Sequence, residues 1–156
     1  MIRDEKNTLS TTRAPAKLGS RTVSLTIDSP GLIALAQGAG SGLVVDMAIR
    51  RFWPHRRTAI LAVGLAAAGA VYPLSRRRFG MDTAETVQLL AACAVAATAV
   101  RLPSPTARRV LGVGWVAHAL YDAVFTHDAA NTRLPSTYAA SCAGADIAIG
   151  ARLILV

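Results

Sequence analysis

Thr58-Ala-Ile-Leu-Ala-Val-Gly-Leu-Ala-Ala-Ala-Gly-Ala-Val-Tyr-Pro-Leu-Ser75 runs for eighteen residues without a charge. Arg56-Arg57 stands before it and Arg76-Arg77-Arg78 after it. About 20 apolar residues span a bilayer as a helix, and arginines at the ends of such a run sit where helix ends meet lipid headgroups. This stretch therefore reads as a membrane-crossing helix. Gly64 and Gly69 on it offer a neighbouring helix a close approach.

The same reading extends in both directions. Ser29 to Val45 is uncharged, with Pro30 placed to open a helix and Asp46 just beyond the run. It leads into Arg50-Arg51-Phe-Trp53-Pro54-His55-Arg56-Arg57, a basic loop with an interfacial tryptophan and an interfacial histidine. Thr83 to Val100 is a third segment, with Glu85 near its start. Pro103 and Pro105 then break the chain. Ala107 to Thr126 is the fourth segment, 127 to 135 a polar loop, and Ser136 to Val156 the fifth segment. The first three are the clearer spans. His118, Asp122, Asp146 and Arg152 depress the hydropathy of the last two. The expected fold is all-α: a multi-pass transmembrane bundle of about five helices over residues 29–156, behind a polar, disordered tail over residues 1–28.

Composition agrees. Of 156 residues, 53% are hydrophobic and 17% charged, against roughly 25% charged in soluble proteins. Mean hydropathy is +0.40. Aromatics are scarce, so Ala, Val, Leu and Gly supply the apolar bulk, which suits helix packing in lipid. A small soluble helical bundle is the competing reading. The net charge of +8 comes in clusters separated by apolar runs, not gathered on one face as in a nucleic-acid binder. The expected partners are membrane lipids, not nucleic acid, and a homo-oligomer is compatible with the composition. Cys93 and Cys142 both lie in apolar runs without CxxC spacing, so no disulfide is implied. Cys142 stays open as a site residue because of its neighbour Asp146.

Loops one and three carry seven arginines, loops two and four carry four. That places loops one and three inside, while the basic tail argues the opposite. Either orientation puts the start of segment three, the end of segment four and the start of segment five at one face.

The chemistry lies in the last two segments. His118 and Asp122 are one helical turn apart on one face, as are Cys142 and Asp146. His118 follows Arg108 by ten residues and Asp146 follows Ser136 by ten, so antiparallel helices bring them to similar depth. A lone charge at the bilayer centre costs about 3 kcal/mol or more, and such residues usually face one another, a water-filled cavity or a functional site. His118, Asp122 and Asp146 form the candidate set for a divalent metal such as zinc, with Glu85 as a fourth ligand or general base. The same residues suit a proton path, or a polar cluster that pins helices. His127 falls roughly 140° around the helix from Asp122 and stays outside the set. Tyr72, Trp115 and Tyr121 read as packing residues, and Arg152 as a side chain reaching back to the surface.

The run Gly112-x-Gly-Trp115-x-x-His118-x-x-x-Asp122, then Pro135, Ser136 and Cys142-Ala-x-x-Asp146, resembles the domain-of-unknown-function family numbered 6010, small bacterial integral membrane proteins. Ala68-Gly-Ala-x-Tyr72, Gly80 and Glu85 match more loosely. The likeness spans residues 30 to 153, with its specific part in 112 to 146. It departs where Phe125 and Thr126 stand in place of a histidine pair, where Tyr121 replaces a tryptophan, and in the spacing of Glu85 from its glycine. The resemblance implies a multi-pass protein of the bacterial inner (plasma) membrane and these site residues; it implies no reaction. The functional expectation is a metal-dependent hydrolase of a lipid or amphiphile. The alternative is a transport or assembly component.

Overall fold

The computed structural model describes residues 29–77, 80, 82–124 and 132–156. The expected tail over 1–28 and His127 lie outside the described residues. Five helices follow in order: α1 (Ser29–Phe52), α2 (Arg57–Leu74), α3 (Thr83–Ala99), α4 (Ser104–Val124) and α5 (Tyr138–Leu155). Among the described residues the fold is all-α.

Local chemistry sets the helix ends. Pro30 lies in the first turn of α1, where its missing N–H costs nothing. α1 runs past the expected end at Val45, because Arg50 and Arg51 in its last turn complement the negative end of the helix dipole. Pro54 then turns the chain through a short 3-10 segment, Pro54–Arg56. Pro73 sits in the last turn of α2, which closes with the Ser75 amide donating to the Val71 and Tyr72 carbonyls. Asp82 and Glu85 form a capping box at the start of α3. Pro103 accepts from the Ala107 amide at 2.9 Å, so α4 starts at Ser104, earlier than expected.

Sequence order and packing order differ. α1 packs mainly on α5, α5 bridges α1 and α4, and α4 lies against α3 and α2, which also pack on each other. Contact between the successive helices α1 and α2 is slight. The α1–α5 seam depends on missing side chains. A Cβ on Gly38 would overlap the Ser141 carbonyl, one on Gly144 would overlap the Leu35 carbonyl, and one on Gly42 would stand 2.6 Å from the Ala145 carbonyl oxygen. The α4–α5 seam repeats the device, with Gly112 and Gly150 each facing the other's carbonyl. Small residues let backbones approach this closely, which is how helices associate in lipid. Gly64 and Gly69, singled out from the sequence, meet Trp115 and Ala92 less tightly, at 3.3 and 3.1 Å.

The interior is small-residue and aliphatic: Ile49, Leu61, Leu65, Ala92, Leu111, Trp115, Ile149 and Leu153 form one cluster. The outside carries large apolar side chains, including Ile33, Val44, Val63, Leu90, Val113 and Leu120. Among the described residues the buried charged and polar ones are Asp46, Glu85, His118, Asp122 and Asp146. An apolar exterior around an interior that holds the buried ionisable groups suits a lipid surround. Three stretches are long and apolar enough to cross a membrane: Ser29–Phe52, Pro54–Leu74 and Tyr138–Leu155. They mark the chain as a membrane protein. Segment three was expected to be a clearer span than segment five, but α3 is an apolar helix of only 17 residues while α5 meets the length.

Candidate functional site

α2, α4 and α5 bring one polar cluster together inside the bundle. On α4, His118 and Asp122 project from one face toward α5, where Asp146 stands opposite. His118 Nδ1 lies 2.7 Å from Asp146 Oδ2 and 3.6 Å from Asp122 Oδ2. His118 is 2% exposed, Asp122 and Asp146 1% each. One ligand atom from each of the three falls within 4.8 Å of the others, the one such group among the described residues. The depth matching read from sequence therefore corresponds to a spatial cluster. The reason is local: Gly112 and Gly150, six and four residues away, let α4 and α5 close on each other.

Tyr72 completes the cluster from α2. Its hydroxyl donates to Asp122 Oδ1 at 2.7 Å. Tyr72 was expected to be a packing residue, and its ring does pack edge-on to Tyr121 and Tyr138, at 5.9 and 6.1 Å. The hydroxyl adds a role that the sequence reading missed. A signal was present: Tyr72 lies near the end of α2, and the ends of α2 and α4 share a face. Cys142, one turn before Asp146, brings its thiol within interaction reach of Asp122 and Tyr138.

Two atoms in the cluster are buried without a hydrogen-bond partner among the described residues: Asp122 Oδ2 and His118 Nε2. The Ala68 carbonyl is near the His118 ring, but Nε2 makes no well-formed hydrogen bond to it. Buried polar atoms are rarely left unpaired, and those that are mark strain, function or an absent ion or water.

Glu85 is not part of this group. Although 5% exposed, it accepts two bonds from Arg76 Nε, at 3.0 and 2.8 Å, and one from the Asp82 amide at 3.4 Å. As the third residue of α3 it is turned back over the helix start, which commits its carboxylate to the cap. The Arg76 guanidinium, beyond the end of α2, is held above its ordinary pKa by this hydrogen bond. Arg76 also forms an isolated bridge to Thr132, and Arg77 Nε donates to the Thr132 carbonyl at 3.1 Å. These contacts tie the α2–α3 and α4–α5 connections together at one end of the bundle.

A second ionic group lies toward the opposite end. Asp46, fully buried in α1, accepts from Arg57 Nε and Nη2 at 3.0 and 2.8 Å. This pairing ties α1 to the start of α2. Arg152 adds to an expectation: its side chain is partly exposed, as read from the sequence, and its Nε also lies 2.9 Å from Asp46 Oδ2. The tight α1–α5 seam places Asp46 beside it. With one acid between two arginines, this group joins α1, α2 and α5; Arg57 is hydrogen-bonded to Asp46, whereas Arg152 Nε and Asp46 Oδ2 form an ion pair without a well-formed hydrogen bond.

Comparisons with family models, with curated proteins and with solved structures find no match. The site's chemistry therefore has to be argued from its own residues.

Proposed function

We propose that the chain is a multi-pass inner-membrane protein whose His118, Asp122 and Asp146 hold a divalent metal ion such as zinc, used to hydrolyse a lipid or small amphiphile. The observation that carries this reading is the charge of the cluster. Two carboxylates and one imidazole are almost fully buried together, with no Lys or Arg among their polar contacts within the described residues. Ionised carboxylates cannot stay in an apolar interior without compensation. A divalent cation beside neutral His118 would balance both. His nitrogen and carboxylate oxygen are ligands that zinc accepts, and Tyr72 stands behind Asp122 as the kind of hydrogen-bonded support that orients metal ligands. A bound metal with an open position would supply activated water. The likeness to the family numbered 6010 belongs to this proposal, as does its inner-membrane location.

The test is elemental analysis of the detergent-purified protein beside His118→Ala and Asp122→Ala. Near-stoichiometric metal in the parent, lost in both variants, is the expected result. No metal in any sample, even after incubation with divalent ions, would overturn the proposal.

One observation favours a second reading. Ligands around a tetrahedral ion with bonds of about 2.0 Å stand roughly 3.3 Å apart, whereas His118 Nδ1 and Asp146 Oδ2 are at hydrogen-bond distance, 2.7 Å. A proton path, or a polar pin between α4 and α5, uses that hydrogen bond as it stands. Proton flux into vesicles that depends on His118 would support the path.

A further inference from the structure

A groove between α3 and α4 leads to His118 from the side of the bundle. Its outer part is a cavity of about 590 Å³ lined by Asp82, Thr83, Ala84, Val87, Gln88 and Tyr121. Its inner part is a cavity of about 120 Å³ with Leu65, Ala92 and Gly114 beneath and His118 at one end. Gln88 lines both, so the two parts meet at that side chain. Ala91 and Ala117, both exposed, flank the inner part on the outer surface of the bundle. Large exposed side chains surround that opening: Val87, Leu90, Val113 and Leu120. The opening therefore faces lipid, not water.

The polar groups in this groove are few and placed by depth. Asp82 and Thr83 stand at the bundle end, beside Arg76. Gln88 and His118 stand farther in. Tyr121 lies three positions after His118 on α4, about 4.5 Å farther along the helix axis. His118 commits its Nδ1 to the carboxylates, leaving Nε2 buried and unpartnered. An apolar cavity of roughly 150 Å³ takes a benzene-sized guest, so the inner part holds a small group, not a whole head.

From this arrangement we infer that the groove binds a single-chain, uncharged membrane lipid. Its polar head occupies the outer cavity at Asp82 and Thr83. Its acyl ester or amide lies between Gln88 and His118. Its chain leaves sideways past Ala91 and Ala117 into the bilayer. The Gln88 amide donates to the carbonyl of that linkage, and the His118 ring lies on its other side. The depth order (head, linkage, chain) is the order in which a lipid presents these groups from the membrane surface inward. This inference names the substrate class of the proposed hydrolase and rests on that reading for the chemistry, but binding tests it separately.

The experiment is photo-crosslinking of the full chain in lipid nanodiscs with a monoacylglycerol carrying a diazirine in its acyl chain, followed by peptide mapping. Labelling should concentrate on α3 and α4 around Ala91 and Ala117, and unlabelled monoacylglycerol should compete it away. Ala117→Trp and Ala91→Trp, each checked for an unchanged melting profile, should reduce it at least tenfold. Val45→Trp on the lipid-facing side of α1 should not. Labelling spread evenly over exposed positions of all helices, without competition, would mean surrounding lipid only and would overturn the inference. So would tenfold-unaffected labelling in both groove variants. Metal content of the parent sample separates the two proposals: focused labelling without metal keeps the groove and removes the hydrolase, and metal without focused labelling does the reverse.

Discussion

His118 is the residue on which two structural features meet. Its Nδ1 edge belongs to the carboxylates of Asp122 and Asp146, and its ring lines the lateral groove. Tyr72 is the quieter partner, donating to Asp122 from another helix. Removing that hydroxyl leaves a buried carboxylate oxygen without its donor, which costs about 1–3 kcal/mol. Tyr72→Phe is therefore expected to lower the melting temperature in detergent by several degrees while keeping the helical content. An unchanged melt would show that the hydrogen bond contributes nothing to the fold. At this scale the residues singled out from the sequence, His118, Asp122 and Asp146, are ones the structure brings together, because an ionisable group in an apolar run stands out wherever it falls. Glu85 stood out for the same reason and proved to be a capping residue. Whether its carboxylate faces the interior or its own helix start depends on Arg76 and Asp82, whose positions beyond the ends of α2 and α3 the sequence does not reveal.

At the scale of the element, seams of glycine hold α5 between α1 and α4. The contrast between two glycines on α1 makes the point testable. Gly38 faces the Ser141 backbone with no room for a Cβ, whereas Gly40 faces nothing within 4 Å. Gly40→Ala should be neutral or stabilising by up to about 1 kcal/mol through helix propensity. Gly38→Val should force the helices apart at a cost of about 1–3 kcal/mol. Thermal unfolding of both variants in the same detergent checks this, and equal melts would refute the seam. Helix existence was legible from uncharged runs between arginine clusters. Helix ends were less so: α1 continues through Asp46 because that side chain is buried against Arg57 and Arg152 and so does not end the helix.

At the scale of the whole molecule, charge divides the bundle. Arg50, Arg51, Arg56, Arg57, Arg101, Arg108, Arg109 and Arg152 gather at one end, where Arg108 Nη1 also reaches the Val156 carbonyl at 2.9 Å. The other end carries Arg76, Arg77 and Arg133 among the described residues, with Asp82 and Glu85 beside Arg76. The positive-inside rule orients the arginine-rich end to the cytoplasm. A C-terminal fusion to green fluorescent protein should then fluoresce, and one to alkaline phosphatase should be inactive; the opposite pattern would reverse the orientation. The groove and the cluster would in that case open toward the cytoplasmic half of the bilayer instead of the outer half.

Apolar helices carrying a His and two Asp were legible along the chain, because hydropathy and charge are properties of residues in order. The tertiary structure decided which helices touch. α1 lies on α5, not on α2, because glycines 38, 42 and 144 remove the side chains that would hold them apart. That contact brings Arg152 to Asp46. The antiparallel closure of α4 on α5 brings His118 to Asp146, and the shared end of α2 and α4 brings Tyr72 to Asp122. Each pairing joins residues distant in sequence through backbone approaches of a few ångströms, and a linear pattern carries no record of such distances.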